Sequence, residues 1–324
     1  MTVALKENRF PRTALLRAGG CLIAVVVVSI TLYGIRISSP SPLFNAFVAV
    51  KCVTTWARPQ TRLAFPGSGD WLFYRDGILA IVKPWKYARS NAETMAALND
   101  TLRGKGIKLF IMPIPDKEAI IQNYSLFKVG KASNQRTRTI AMLRKRNVDV
   151  IDLEPSFIAK ISRDSLYQKR DGHWDGPGIV MAAGQVSDSI NRYLGGNGES
   201  RYSFKDTCIF EPRDLAELLG DSSLYPRACR IIADKSGEPF RDSAWSDIMI
   251  IGDSYTMVNR AFGGGIGAQI AYFTNRPTFT MGHIGAFARW PAEVLSFLKN
   301  RRKLPKVIVS AFVSRSFLNK IEPF

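Results

Sequence analysis

Two short stretches of the sequence hold the residue types needed for nucleophilic catalysis. Asp171 and His173 lie two positions apart in DGHWDGPG, and Ser254 lies in GDSY, directly after an apolar run. A serine hydroxyl needs a base whose pKa lies near 7, which is a property of histidine. A carboxylate beside that histidine fixes its tautomer and stabilises the imidazolium ion. The pattern predicts Ser254 as nucleophile, His173 as general base and Asp171 as orienting acid.

Simpler interpretations exist for the same residues. Gly, Asp and Ser are ordinary turn residues, so GDS is also typical of an Asx turn or a helix cap. His173 could be a helix-entry residue, with Asp175 as the N-cap and Pro177 in the first turn. That interpretation explains Asp175 and Pro177 but not the DGH that precedes them. The second histidine, His283, lies among glycines with no acidic residue nearby in the sequence.

The segments around these residues alternate between two periodicities. Apolar residues recur at helical spacing in four segments: SNAETMAALNDTLRGKG, NQRTRTIAMLRKRN, WPAEVLSFLKNRRKLP and the segment after His173. In the first of these, Ser90 and Glu93 are spaced as a capping box. Strands are predicted in IKLFIMPIP, VDVIDLEP, SDIMIIGDSY, GAQIAYF and KVIVSAFV. This alternation predicts an α/β fold with a parallel sheet covered by helices on both faces, and no second domain. Ligands bind at the carboxyl ends of such strands, where GDSY lies.

The N-terminal part of the sequence predicts a membrane anchor. Residues 1–20 contain four basic side chains and one acidic one, and residues 21–37 are apolar apart from Arg36. The distribution of charge predicts a cytoplasmic N-terminus over 1–20, a transmembrane signal anchor over 21–37, a linker over 38–64 and an extracytoplasmic domain over 65–324. A cleaved signal peptide is the alternative, because a basic stretch before an apolar one is typical of both.

The net charge indicates which partners to expect, and the cysteine spacing indicates whether a metal or a disulfide is expected. The net charge of +18 favours an anionic partner such as an acidic polysaccharide, a cell-wall polymer or lipid head groups, although it could serve solubility alone. The basic residues are scattered, and no segment is typical of a nucleic-acid-binding module. None of the four cysteines has the spacing of zinc ligands, and we expect no metal and no cofactor. Cys208 and Cys229 could form a disulfide in an oxidising compartment.

The order of these motifs resembles a known family. DGHW followed by a helix of small residues, then GDSY after a strand, is similar to the alginate O-acetyltransferase family, the AlgX/AlgJ group of SGNH-hydrolase-like proteins. Four further segments share the resemblance, which extends over about residues 65–318: GDWLFYRDG, IMPIPDKEAI, RDLAELLG and LPKVIVSAFVSR. Two departures are Tyr255, where Phe is usual, and the absence of an acidic residue directly before Arg315.

The resemblance implies a fold, a reaction and a location. It implies an SGNH-like three-layer domain at residues 65–324, in which Ser254, His173 and Asp171 transfer an acetyl group to hydroxyls of an exopolysaccharide. The acetyl donor would be delivered by a multispanning membrane O-acyltransferase. The protein would be a single-pass protein of the bacterial inner membrane, with its catalytic domain in the periplasm. The polymer itself is not identified by the resemblance.

Other functions are compatible with the same sequence. An acetylesterase of the same fold would release acetate to water, whereas a non-catalytic polysaccharide-binding or assembly protein would be indifferent to Ser254. Lys117, at a predicted strand end, lies either near the site or on the surface, and GGGIG at 263–267 could be a mobile loop over the site. Four aromatic side chains are candidates to stack on sugar rings, although such residues are more often part of a core: Trp71, Trp85, Trp174 and Trp290.

Overall fold

The computed structural model of the chain describes most of the sequence after residue 62. The described residues are 35–37, 63–82, 85–125, 127–129, 134–160, 166–196, 200–282, 286–299 and 301–324. His283, most of the predicted anchor and nearly all of the predicted linker lie outside them. Among the helices of these ranges, none has the length and apolarity needed to cross a bilayer.

The described ranges contain eleven strands, which are numbered in chain order. They are β1 Ile35–Ile37, β2 Ala64–Pro66, β3 Leu72–Tyr74, β4 Lys108–Ile114, β5 Phe127–Val129, β6 Asp149–Val150, β7 Tyr202–Glu211, β8 Tyr225–Asp234, β9 Ile248–Gly252, β10 Thr278–Gly282 and β11 Val307–Val313. Strand β1 pairs antiparallel with β5, so the last three residues of the predicted anchor helix are extended. The two β-branched isoleucines of β1 favour that conformation.

Ten α-helices connect the strands within the same ranges. They are α1 Arg75–Val82, α2 Ala88–Arg103, α3 Lys117–Ile120, α4 Asn134–Lys145, α5 Glu154–Lys160, α6 Gly176–Leu194, α7 Asp214–Glu217, α8 Ser254–Met257, α9 Ile266–Thr274 and α10 Trp290–Lys299. Short 3-10 helices lie between these elements or after the last of them, at Gln122–Tyr124, Arg260–Phe262, Ala286–Ala288 and Ser314–Leu318.

The central sheet confirms the predicted architecture. Its five strands are all parallel and lie in the order β10-β9-β11-β4-β6. Because side chains alternate along a strand, Phe110 and Met112 of β4 pack on one face with α6 and α9, and Leu109 and Ile111 pack on the other with α2 and α10. The result is a three-layer domain whose strands β4, β9 and β11 end at one common edge.

Two predicted elements are placed differently by the structure. GAQIAYF is not a strand but part of the buried helix α9, and the fifth strand is β10. A segment that is apolar on every side has no period that separates a helix from a strand, which explains the error. The capping box is also wrong, because α2 begins before Ser90 and the Ser90 hydroxyl donates to the carbonyl of Tyr87.

A long hairpin, β7–β8, was not predicted from the sequence. Its ten-residue strands pair antiparallel, with Cys208 opposite Ala228 and Cys229 opposite Thr207. Cross-strand partners share a face and neighbours alternate, so the two cysteine side chains point to opposite faces. The considered disulfide therefore does not form: Cys208 is a free exposed thiol and Cys229 a free buried one.

The glycine-rich segment 263–267 is packed rather than mobile. All five residues are buried, and a Cβ added to Gly264 would lie 2.5 Å from the sulfur of Cys229. The segment serves as the close contact between the hairpin and the start of α9. It is not the mobile loop over the site considered above.

We expect Gly252→Ala to destabilise the fold by about 1–3 kcal/mol, the usual cost of overpacking a core. The added methyl group would overlap the backbone oxygen of Ala311 in β11 and the side chain of Thr256. Gly196→Ala is the matched control, because Gly196 is exposed and an added Cβ meets no atom within 4 Å. Urea unfolding of both variants measures the difference, and equal stabilities would show that β9 and β11 can separate without cost.

Candidate active site

The loop at 168–175 presents Asp171 and His173 at the entrance to α6. The Asp175 side chain accepts a hydrogen bond from the amide of Gly176 at 2.9 Å, and Pro177 lies in the first turn. These two residues start the helix as predicted. An isolated bridge between Tyr167 and Trp174 closes the base of the loop. The position of His173 is therefore fixed by the Tyr167–Trp174 bridge and by the capped start of α6.

The second loop presents Ser254 directly after β9. Asp253 caps α8, because one carboxylate oxygen accepts from the amide of Tyr255 at 3.1 Å and the other accepts from the amide of Val313 at 2.9 Å. The capping role considered for GDS therefore belongs to Asp253. Ser254 is the first residue of α8, so its own amide has no intrahelical partner.

The two loops place three predicted residues in hydrogen-bond contact. His173 Nε2 lies 2.9 Å from Ser254 Oγ, and His173 Nδ1 lies 2.7 Å from Asp171 Oδ1. The same Asp171 oxygen also accepts from the His173 amide at 2.9 Å. Both ring nitrogens of one histidine thus face a hydroxyl on one side and a carboxylate on the other, which is the arrangement a proton relay requires.

The Asp171 carboxylate is kept ionised in a buried position. Its side chain is 3% exposed, and its second oxygen accepts from Arg227 at 3.1 Å. Burial alone would raise the pKa of Asp171, but the hydrogen bonds to His173 and the charges of His173 and Arg227 outweigh it. The pKa is therefore held well below its usual range, and the carboxylate can stabilise an imidazolium ion.

A second carboxylate, Asp214, faces the same histidine nitrogen. Its Oδ2 lies 3.4 Å from His173 Nδ1, and its Oδ1 accepts from the amide of Gly172 at 2.7 Å. Burial lowers the pKa of His173, but hydrogen bonds and charges from Asp171 and Asp214 raise it further than burial lowers it. Asp214 lies in the RDLAELLG segment, to which the sequence assigned no role. Arg227 was missed because it lies on the unpredicted hairpin.

Lys117 lies under the loop and not on the surface. Its side chain is fully buried, and its ammonium donates to the carbonyls of Gln168 at 2.7 Å, Lys169 at 3.1 Å and Asp171 at 2.8 Å. Burial lowers the pKa of Lys117 to about 8. The lysine fixes the backbone from which Asp171 and His173 project.

Tyr255 connects the two loops from the serine side. Its hydroxyl donates to the carbonyl of Gly172, and its ring lies 4.8 Å from the His173 ring. Arg315 donates to the Tyr255 oxygen at 3.3 Å and to Asp116 Oδ1 at 3.0 Å. The acidic partner of Arg315 is therefore Asp116, two residues after the end of β4. The Tyr255 hydroxyl makes two contacts that a phenylalanine lacks.

The four tryptophans considered for sugar stacking belong to the core. Each is less than 10% exposed: Trp71, Trp85, Trp174 and Trp290. Their rings are therefore not available to a polymer at the surface. Trp174 instead donates its indole N–H to the carbonyl of Tyr255 at 3.0 Å and so tightens the contact between the loops.

One group of side chains in the described ranges has the composition of a metal site. The candidate ligand atoms of Asp171, His173 and Asp214 lie within 4.8 Å of one another. Those atoms already hydrogen-bond to each other, to backbone amides and to the Arg227 guanidinium. The Arg227 guanidinium beside Asp171 would repel a metal cation bound at the same carboxylate. The arrangement therefore fits a charged hydrogen-bond network, and we assign it no metal.

The sequence matches a known family over more than half of its length. Residues 64–270 match the family described as "SGNH hydrolase-like domain, acetyltransferase AlgX". No curated protein sequence matches the chain.

Solved structures with this fold include two from Pseudomonas and one from Bacillus. The O-acetyltransferase domain of Pseudomonas putida AlgJ is 18% identical, with a TM-score of 0.63 over 80% of this chain and 93% of that one. Pseudomonas aeruginosa AlgX is 18% identical, with a TM-score of 0.62 over 81% and 65%. Bacillus cereus PatB1 is 11% identical, with a TM-score of 0.52 over 78% and 98%. The predicted SGNH-like α/β fold is confirmed, and by its family match the chain belongs to the SGNH hydrolase-like acetyltransferase domains of the AlgX family.

Proposed function

We propose that the protein is an O-acetyltransferase that moves an acetyl group through Ser254 to a hydroxyl of a polysaccharide. The observation that carries the proposal is the continuous contact from Asp171 through His173 to Ser254, with distances of 2.7 and 2.9 Å. In a chain of an acetyltransferase family, this contact supplies the nucleophile, the base and the orienting acid that acyl transfer needs.

The first half of the reaction forms an acetyl-serine. His173 Nε2 accepts the proton of Ser254 Oγ while that oxygen attacks the carbonyl carbon of an acetyl ester. The bond between the carbonyl carbon and the leaving oxygen then breaks, and the leaving oxygen takes the proton from His173. Asp171 stabilises the imidazolium ion between these two proton transfers.

The second half returns the enzyme to its starting state. A sugar hydroxyl gives its proton to His173 and attacks the acetyl carbon, and Ser254 Oγ regains a proton as it leaves. Each half-reaction develops a negative oxygen on the acetyl group. We assign the amide of Ser254, which as the first residue of α8 has no intrahelical partner, the role of donor to that oxygen.

The choice of acceptor and location follows the sequence and the relatives. Residues 38–324 contain 40 basic and 26 acidic side chains, a net charge of +14 that favours an anionic polymer such as an acidic polysaccharide. AlgJ from Pseudomonas putida is described as containing an O-acetyltransferase domain. We extend the role by proposing a periplasmic domain held at the bacterial inner membrane by the apolar residues that precede β1, where a multispanning membrane O-acyltransferase delivers the acetyl group. Nucleic acid has no part in this function.

We expect wild-type protein incubated with a chromogenic acetyl ester to gain the mass of one acetyl group on Ser254. Ser254→Ala and His173→Gln should abolish both the adduct and turnover, with a loss of at least about 10³-fold, because members of such a relay act as a unit. Mass spectrometry of proteolytic fragments locates the adduct, and release of the chromophore gives the rate.

The matched control for the serine is Ser222→Ala, since Ser222 is exposed and lies outside the site. It should behave as wild type. If Ser254→Ala turns over the ester as fast as wild type, the nucleophile is assigned wrongly, and the non-catalytic interpretation takes its place.

We expect an added oligosaccharide to raise the rate of ester consumption and to become acetylated. An acidic oligosaccharide should be a better acceptor than a neutral one of equal length, and salt should reduce that preference because it screens charge. Mass spectrometry of the sugar and the chromophore rate measure both effects. A rate that ignores every acceptor while acetate accumulates would identify an acetylesterase.

A further inference from the structure

Asp214 contacts the catalytic loop at three points although it is distant from it in sequence. Its Oδ1 accepts from the Gly172 amide at 2.7 Å, its Oδ2 lies 3.4 Å from His173 Nδ1, and its own amide points at Asp171 Oδ2 at 3.5 Å. It is the first residue of α7, in the connection between β7 and β8. The histidine nitrogen therefore has two carboxylate neighbours, one from its own loop and one from this connection.

The Asp171 carboxylate interacts with Arg227 as well as with His173. Arg227 lies 3.1 Å from Asp171 Oδ2 and also contacts Glu211, so Asp171 belongs to a buried ion-pair network. Asp214 has a different environment, because its side chain is 44% exposed. Within the described ranges, His173 is the one group of opposite charge at ion-pair distance from it. Of the two carboxylates next to His173 Nδ1, Asp214 is therefore the one without an arginine or lysine at ion-pair distance among the described residues.

We propose that Asp214 is a second carboxylate partner of His173, a positioning residue whose charge, 3.4 Å from Nδ1, stabilises the imidazolium ion while Asp171 holds the Nδ1 proton. Only the effect that we expect on turnover rests on the proposed function. The contact between Asp214 and His173 changes the pKa of the histidine whether or not the protein is an acetyltransferase. Asp171 fixes the ring through the shorter contact of 2.7 Å. Asp214 adds its charge and holds the Gly172 amide.

The other charged or titratable groups around the ring do not replace Asp214. They comprise one hydroxyl, one buried carboxyl and two cations that act through the carboxylates: Tyr255, Asp253, Arg227 and Lys117. Neither cation raises the affinity of the ring for a proton, because like charges repel. Only the two carboxylates at Nδ1 favour the protonated histidine at short range.

The sign of the expected effect follows from this balance. Asp171 and Asp214 raise the pKa of His173 against the effect of burial. The neutral base that accepts the serine proton therefore accumulates only above that raised pKa. Loss of the Asp214 charge should lower the pKa, so that the neutral base appears at lower pH, while the imidazolium ion formed during reaction is stabilised less.

The test is an NMR titration of the His173 ring in wild type, Asp214→Asn and Glu217→Gln. The asparagine keeps an oxygen that can accept from Gly172 and removes only the charge. Glu217→Gln is the matched control, because Glu217 is an exposed acid on the same short helix. The sequence has two histidines, so His283→Gln identifies the resonances of His173.

We expect the His173 titration to move to lower pH by about 1 unit in Asp214→Asn and to stay unchanged in Glu217→Gln. Asp214→Glu should restore the titration toward the wild-type position. An unchanged titration in Asp214→Asn would overturn the inference. Unfolding curves recorded beside the titrations show whether each variant is folded. If the asparagine variant is not, Asp214→Ser keeps the test decisive, because it also removes the charge while its hydroxyl can accept from the Gly172 amide.

Ester turnover separates this inference from the proposed function. The acid limb of the pH–rate profile should move with the NMR titration, and the rate on the alkaline side should fall less in Asp214→Asn than in Asp171→Asn, which also loses the fixed tautomer. If the titration moves while wild type shows no turnover with any acetyl ester, the carboxylate pair is upheld and the acetyltransferase proposal is not. An acid limb that stays in place while the titration moves would show that His173 is not the base.

Discussion

The site depends on one buried cation. The Lys117 ammonium donates to the carbonyls of Gln168, Lys169 and Asp171, and it has no exposed surface. A buried ammonium is costly unless its donors are satisfied, and here three carbonyls satisfy them. In return the loop carbonyls are fixed toward the protein interior. The residues that project from that backbone, Asp171 and His173, consequently have little freedom to leave the relay.

The parallel sheet gives this loop its partner. Strand β9 ends at Gly252, beside Ala311 of β11, and the next residue caps α8 with one oxygen and holds the amide of Val313 with the other. Asp253 thus connects the ends of β9 and β11 and caps α8, so the Ser254 hydroxyl is not needed as a cap. The serine hydroxyl is directed to the histidine because its acidic neighbour has taken the local hydrogen bonds. A serine in the capping position itself would have used its hydroxyl on the helix.

The sequence was informative where local rules decide the structure. Asp175 and Pro177 start a helix through neighbouring backbone groups, and the apolar runs of the central strands are visible without any partner. Sequence patterns contain no comparable signal for Arg227 or Asp214, since each meets Asp171 or His173 across more than 40 residues. Arg227 comes from β8 and Asp214 from the connection between β7 and β8. The Asp116 partner of Arg315 was hidden for the same reason, because it lies in the loop after β4, about 200 residues earlier in the sequence.

The relay leaves the choice between sugar and water to the acceptor site. Both are neutral hydroxyl nucleophiles, and Asp171, His173 and Ser254 would serve either in the same way. Preference must therefore come from occupancy, namely from a bound polymer that places one hydroxyl near the acetyl carbon and excludes water there. The His173 side chain is 18% exposed and Ser254 is half-buried, so the relay is mostly covered but still reached by solvent. An acceptor hydroxyl that is to replace water must therefore enter through the small exposed part of the relay.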